Sequence, residues 1–577
     1  MSSELFLSPL WAQNARTAEA TTTTLVAFGL YMVGVFVLAL ISHKLLSKRE
    51  FVGEYFLGSR TLGVWALAFS FAATSASGGS FMGFPSLIYT HGWVLALWIA
   101  SYMIVPIVTM GLLGKRLNQV ARKTNAITIP DVLRDRHQSH GLGLLAMGII
   151  AFFMVVNLVA QFKAGGTILD TLFRDVPGYN RAAEFLFLDM PGWLGLSSFR
   201  WWSNWVPGSN SGYLLALFLF ALMVVAYTAY GGFKAVVWTD VMQGVVMGIG
   251  VIIMLPLALY AAGGLPAVSD SLARDMPTHL VPPGTPTRAQ PDLEFLPFSL
   301  AISFFFMWAI SGAGQPGTMV RLMAFKESKT LLRAIFTVMV YYSCIYLPLV
   351  VIFVAARHIP AVTNSIAAGK ADAVMPTTAL AVAPPWLAGL LIAAPFAAVM
   401  STVDSFLLLI SSNLVRDFYQ RTINPDASER TMRWLSMGAT ATVGVIVTLA
   451  AMRPPQYLQY IIVFVGAGLA SSFLAPTGLS IYWPRMTRTG TIASMLGGFV
   501  TMVTLYVLGW TGVAEQLAGT WLVPRVRAID FAPLDLFGLD PVVWGLGSSL
   551  ILGIVGSLLT ARPPQDRVRF YFSARTS

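Results

Sequence analysis

Residues 72–83 read AATSASGGSFMG, inside a stretch that is otherwise apolar from Val64 to Phe84. Entered from Thr61, a helix would carry Ala73 to Gly79 to roughly 18–27 Å along its axis at about 1.5 Å per residue, which is at or just beyond the middle of a bilayer. Adjacent glycines weaken a helix, and small side chains leave room beside its backbone. Close helix packing is one use of such a stretch. The other is a break whose freed carbonyls meet an ion or a cavity, the setting in which unwound backbone is tolerated at that depth.

Composition supports a membrane setting. Of 577 residues, 56% are hydrophobic and 11% charged, and mean hydropathy is +0.70, where soluble proteins carry about 25% charged residues. Apolar runs of spanning length fall at 24–44, 62–89, 93–113, 142–174, 211–229, 233–262, 297–317, 328–356, 385–420, 431–452, 456–483, 488–511 and 541–560. The chain therefore reads as an all-α polytopic membrane protein of thirteen transmembrane helices. With the amino terminus outside, 25 of the 37 Lys and Arg fall in inner segments and 11 in outer ones, and Lys163 lies within a span. Lys and Arg collect in cytoplasmic loops, so the expected location is the cell's inner (plasma) membrane, with the carboxy terminus cytoplasmic. The net charge of +11 is then topology, with no nucleic-acid partner. The segment MSSELFLSPLWAQ lacks the basic start of a signal peptide and reads as an outer tail. The single cysteine, Cys344, excludes an internal disulfide, and its setting YYSCIYLP reads as a packed, inert thiol. The outer connections 175–210, 263–296 and 512–540 read as irregular loops, with a lid over an outer vestibule as the sharper alternative.

A second interruption, WAISGAGQPG (308–317), comes five spans after the first. Breaks at corresponding positions of two five-span halves point to an inverted-repeat transporter with its site at the breaks. The expected division is a tail at 1–23, a peripheral helix and inner loop at 24–61, a first repeat at 62–262, an outer loop at 263–296 and a second repeat at 297–483. Two peripheral helices at 484–560 and an inner tail at 561–577 complete it. The ninth span, FAAVMSTVDSFLLLISS, places Ser401, Thr402, Asp404 and Ser405 near mid-depth, with Ser401 and Ser405 one turn apart on one face. Such oxygens suit a hard cation, although Ser and Thr in apolar helices also bond their own i−4 carbonyls. Asp240 and Asp404 are the carboxylates expected well inside spans, and intramembrane carboxylates are functional candidates. Asp240 also suits a structural link to the inner face. Lys163, in VAQFKAGG with Gln161, either snorkels to the interface or attracts a substrate carboxylate.

Four segments together resemble the sodium/solute symporter family: EYFLGSRTLG (54–63), YTAYGGFKAVVWTDVMQG (227–244), GQPGTMVRLMAFKESKTL (314–331) and AAPFAAVMSTVDSFLLLISS (393–412). The similarity runs from about residue 25 to 510. LGKRLNQVARKTNAITIPDVL (113–133) makes the sodium/pantothenate branch the better match, with proline symporters next. The resemblance implies a LeuT-like five-plus-five core and alternating-access import of a small organic solute, pantothenate or a related monocarboxylate, coupled to sodium without an organic cofactor. It implies sodium ligands at the carbonyls of Ala73, Ala76 and Ala398 and the hydroxyls of Ser401 and Thr402, with Asp240 and Asp404 supporting the ion's path. Substrate is expected against Ser77, Gly78, Gly79, Ser80, Gln161, Lys163, Trp308, Gly312, Gln315 and Pro316. Ser75 stands where the proline branch has an Asp. Gly79 and Gly312 stand where it has aromatic rings, which implies a larger pocket here.

Other classes find less support. Gly312 to Gly317 match GxGxxG, but no strand precedes them and Pro316 falls within. There is no HExxH, GxSxG or Walker loop, so no enzyme is expected. His137 and His140 form an HxxH that reads as a solvated loop. A proline- or sugar-type symporter, or a transporter-like nutrient sensor, remain the alternatives. A channel would need a continuous polar pore.

Overall fold

A computed structural model describes residues 18–46, 63–193, 210–280, 297–366, 370–453, 457–524 and 531–572. The tail before Ala18, nearly all of the EYFLGSRTLG motif and parts of the three long connections lie outside them. Among the described residues the chain is helical, with one isolated bridge and no strand. The principal helices are α1 (Ala18–Leu46), α2 (Val64–Ser75), α3 (Phe84–His91), α4 (Lys115–Thr124), α5 (Ile129–His137), α6 (His140–Phe173), α7 (Ser211–Ala261), α8 (Phe298–Ser311) and α9 (Pro316–Leu322). They continue as α10 (Ser328–Ala356), α11 (Val374–Val382), α12 (Pro385–Ser412), α13 (Glu429–Ala450), α14 (Leu458–Tyr482), α15 (Arg488–Trp510), α16 (Pro541–Leu558) and α17 (Gln565–Phe572).

Eleven helices among the described residues are long and apolar enough to cross a membrane, or twelve if the bent pair α8–α9 counts as one. By length and apolarity the expected count of thirteen is not reached, because the segment from Val64 to His91 is cut into pieces too short to qualify. Within α7 two apolar stretches, Ser211–Ala229 and Thr239–Ala261, each have spanning length.

Burial separates the helices. In their most apolar windows 83% of residues are buried for the stretch beginning at Pro385 and 89% for α14, but 33% for α1, α15, α16 and the stretch Thr239–Ala261 of α7. The first two are apolar all round and sit at the centre, as such helices must. The other four present apolar faces outward. The outermost pair, α15 and α16, approach closely enough that a Cβ on Gly490 would collide with Ser557 Oγ, a small-residue contact suited to lipid.

At one end of the bundle, basic residues of α4 and α5 grip two helix termini. Arg116 Nε donates to Ile481 O at 3.0 Å and Arg136 Nε to Ser480 O at 3.2 Å, capping the last carbonyls of α14. The same cations hold α17: Arg116 Nη2 donates to Tyr571 O at 2.9 Å, Lys123 Nζ to Phe570 O at 3.1 Å, and the Arg136 guanidinium lies 5.3 Å from the Tyr571 ring. His137 is half-buried and engaged, not the free loop side chain its setting had implied. Its Nε2 lies 2.9 Å from both Ser480 Oγ and Thr491 Oγ1, and burial, reinforced by Arg136, lowers its pKa to about 3. His140 is exposed. Cys344 also departs from expectation, since it faces outward from the bundle and is exposed.

Candidate functional site

The two breaks have separate local causes. In α2 the helix ends as Ala76 takes φ −83° and ψ 87°, immediately before Ser77-Gly78-Gly79. In α8 a 3-10 turn, Gly312–Gly314, leads to Gln315 at φ −79° and ψ 115°, and α9 departs at 54°. Pro316 requires this: it disfavours the α region for Gln315 and has no N–H to continue the ladder.

Each break has its freed backbone groups met by side chains. Gly78 N donates to Gln161 Oε1 of α6 at 2.9 Å, and Gly79 N to Ser77 Oγ at 3.1 Å. Gln161 is oriented in turn by Asn157, whose Oδ1 accepts its Nε2 at 3.0 Å. At the second break Thr318 Oγ1 donates to Gly312 O (3.0 Å) and Gln315 O (2.8 Å), while Gln315 Nε2 reaches Gly466 O of α14 at 3.2 Å.

Alongside the first break, four of the expected ion ligands come together. Ser401 Oγ lies 3.1 Å from Ala73 O and 3.0 Å from Ala398 O, and Thr402 Oγ1 lies 3.1 Å from Ala398 O. All four residues are buried. Ala76, the fifth, is buried at the point where α2 unwinds. Two carbonyls and two hydroxyls without formal charge suit a hard monovalent cation, and the hydroxyl protons can rotate away from an arriving ion.

A cavity opens between the breaks. Of the expected substrate residues it is lined by Ser77, Trp308, Gly312 and Gln315. Gly78, Gly79, Ser80, Gln161, Lys163 and Pro316 are not among its lining residues. Gln161 braces the break instead, and Ser80 Oγ pairs with Tyr346 OH at 2.8 Å. Tyr102, Asn157, Thr318, Phe406 and Ile462 also line it and were missed, and so does Ser75, noted above only as a departure from the proline branch. Asn157 was findable as a polar residue one turn from Gln161 in an apolar span; Tyr102, Phe406 and Ile462 have no signal that separates them from core residues. Thr402 lines the cavity too, so one hydroxyl belongs both to the oxygen cluster and to the solute space. No lining side chain carries a formal charge.

Of the two glycines, Gly312 lines this space and Gly79 does not, and both are closely packed. A Cβ at Gly79 would stand 2.7 Å from Ile462 Cδ1 and 3.0 Å from Gln459 Oε1, and one at Gly312 would stand 2.8 Å from Val105 Cγ1. A side chain at either position would have to displace one of these neighbours.

The buried charges are paired or bonded. Asp240 Oδ2 meets Arg321 Nη2 at 3.4 Å and Ser70 Oγ at 3.3 Å. Arg321, counted among loop cations in the sequence, is in fact buried, and donates also to Ser70 Oγ, Gly317 O and Ser405 Oγ, each at 3.0 Å. Asp404 Oδ1 accepts from Thr228 Oγ1 at 2.5 Å. Lys163 neither snorkels nor faces the cavity, because its Nζ lies 2.5 Å from Asp372 Oδ2.

Comparison with known proteins places this geometry. The profile of the sodium:solute symporter family matches residues 55–175 and 210–498. A sodium/pantothenate symporter of Haemophilus influenzae is 33% identical over 83% of this chain and 90% of its own length. A sodium/proline symporter of the same organism is 27% identical over 94% of this chain and 96% of its own. Among solved structures, a Na+-coupled sialic acid symporter in a substrate-bound outward-open state superposes with a TM-score of 0.67 at 20% identity, over 94% of this chain and 99% of the other. At that identity the likeness concerns the fold, which is the LeuT-like arrangement of two interrupted five-helix repeats.

Proposed function

This chain belongs to the sodium:solute symporter family and couples sodium to the movement of a small solute across a membrane; on that premise we propose that the solute is pantothenate or a related monocarboxylate. The ion is held by the carbonyls of Ala73, Ala76 and Ala398 and the hydroxyls of Ser401 and Thr402. The solute lies in the cavity against Ser77, Trp308, Gly312 and Gln315, with Tyr102, Asn157 and Thr318 added to the residues expected from sequence. Binding of the ion joins the broken helix α2 to α12, and Thr402 passes its presence to the solute space. The observation that carries this reading is the four-oxygen cluster bridging α2 and α12, one member of which lines the cavity. Asp240, fixed by Arg321, serves as a structural tie on the far side of the breaks.

We further propose an inner-membrane orientation with the amino terminus outside, which puts α4, α5 and α17 in the cytoplasm. The two repeats are then 62–262 and 297–483, flanked by the helices at 24–44 and 484–560. The neutral ligand set does not titrate near pH 7, so sodium rather than a proton gradient drives uptake.

The test is uptake into proteoliposomes under an imposed sodium gradient, with labelled pantothenate, other monocarboxylates, proline and sugars. Pantothenate should accumulate under the sodium gradient and not under a pH gradient alone. Sodium-driven uptake of proline in preference to every monocarboxylate would overturn the substrate reading and leave the ion site standing.

A further inference from the structure

The solute proposed above is an anion, yet the cavity is lined by neutral side chains. A buried cation stands nearby on α6, already engaged. Lys163 Nζ is 2.5 Å from Asp372 Oδ2, and the same oxygen accepts the backbone N–H of Leu458 at 3.1 Å. Asp372 sits in the 3-10 turn Ala371–Ala373, which packs against α6 and against the turn Gly79–Gly83 that follows the first break. One carboxylate therefore ties together α6, this turn and the first residue of α14.

The position of that tie follows from two helices independently. Asn157 of α6 and Ile462 of α14 line the cavity. Lys163 is six residues further along α6, about 9 Å, and Leu458 is about one turn before Ile462. The opposite end of α14 is the one capped by Arg116 and Arg136. Both displacements thus lead away from the basic helices α4 and α5, toward the outer side in the orientation proposed above.

We propose that the Lys163–Asp372 pair is a latch over the outer side of the cavity, opened by carboxylate exchange. The carboxylate of an incoming solute takes the place of Asp372 on Lys163. Asp372 and its turn swing away, and the solute descends toward the cavity as the pair re-forms behind it. Removing one partner from a buried ion pair leaves an uncompensated charge, which is costly. Exchange of one carboxylate for another avoids that state, whereas a neutral solute offers nothing in return for Asp372. The latch thereby selects for anions although the cavity itself is uncharged. This inference rests on the monocarboxylate reading above.

The experiment uses the full chain in proteoliposomes under an inward sodium gradient, comparing labelled pantothenate with its neutral primary amide. Wild type should show a lower half-saturation for the acid than for the amide. Lys163→Gln should raise the half-saturation for the acid at least tenfold and leave that for the amide unchanged or lower. Asp372→Asn, which loosens the latch but keeps the cation, should lower the half-saturation for the acid and retain the preference. The double variant Lys163→Gln/Asp372→Asn removes both charges, guards against misfolding of a single variant, and should take acid and amide alike. A double variant that still prefers the acid, or a Lys163→Gln protein impaired equally for both compounds, overturns the latch while pantothenate transport stands. Sodium-driven uptake by wild type of an uncharged solute, with neither compound carried, overturns the substrate reading and the exchange with it.

Discussion

Ser401 and Thr402 can each be deprived of a hydroxyl without loss of helical propensity, since Ala is the best helix former. Each hydroxyl lies about 3 Å from Ala398 O. An ion that loses one oxygen forgoes a polar contact worth on the order of 1–3 kcal/mol. Ser401→Ala and Thr402→Ala should therefore each raise the sodium concentration for half-activation by roughly 5- to 150-fold, at about 1.4 kcal/mol per tenfold. Initial uptake rates against sodium concentration measure this, and unchanged activation in both variants would place the ion elsewhere. Ser405, one turn along the same face, is a poor control because its Oγ accepts from Arg321. Ser472, whose Oγ bonds only its own helix at Gly468 O in the structure described, is the better one, and Ser472→Ala should activate normally. Gly312 gives a second residue-scale outcome. Its hypothetical Cβ stands 2.8 Å from Val105 Cγ1, and overpacking typically costs about 1–3 kcal/mol. Gly312→Ala should lower the rate of solute uptake severalfold, and Gly312→Ala with Val105→Ala should recover most of it. Failure of the second change to help would show that the crowding is not what Gly312 avoids.

The breaks in α2 and α8 were legible because their causes are local: Ser77-Gly78-Gly79 in one, Gly312 to Pro316 in the other, each within a few residues. What braces them was not. Gln161 lies 83 residues from the Gly78 N–H it accepts, and Asp372 lies 209 residues from Lys163. A single sequence carries no mark of such pairings, so Lys163 could be read only from its helix, where snorkelling and solute binding were the available options. The same applies to Arg321, placed in a loop by its neighbours yet buried against Asp240, Ser70 and Ser405 on three other helices. That network supplies an element-scale prediction. Asp240→Asn or Arg321→Gln alone leaves a buried charge without its partner, a change that typically costs about 3–5 kcal/mol. Each single variant should lower thermal stability in detergent markedly. The double variant should be more stable than either, because no buried charge remains unmatched. Additive losses in the double variant would show that the pair contributes little as a pair.

At the scale of the whole molecule, the all-helical class followed from apolar run lengths, and the separation of centre from periphery is visible in α14 and α1. Both are apolar in sequence, but α14 carries small residues such as Gly466, Gly468 and Ser471 within a buried surface, whereas α1 exposes Val26, Leu30 and Val33. Run length alone could not fix the span count, because it treats an interrupted segment such as Val64 to His91 as one rod. Nor could it foresee α17, whose eight residues are too few to register as an apolar element. Their clasp by Arg116, Lys123 and Arg136 brings the last described turn of the chain against the loop helices between the third and fourth apolar stretches. The practical consequence concerns how the protein is handled. Reporter domains and affinity tags are commonly joined at the carboxy end, and here Ser577 lies only five residues beyond Phe572 and six beyond the buried Tyr571. A fused domain without a spacer should compete with Arg116 and Lys123 for the last helical carbonyls, each contact worth on the order of 1 kcal/mol. Deleting residues 565–577, or fusing a bulky reporter directly after Phe572, should lower the melting temperature and the yield of monodisperse protein relative to the same reporter on a long Gly/Ser spacer. Equal melting curves for the direct and spaced fusions would mean that the grip on the tail is dispensable, and that the carboxy end tolerates a label as it stands.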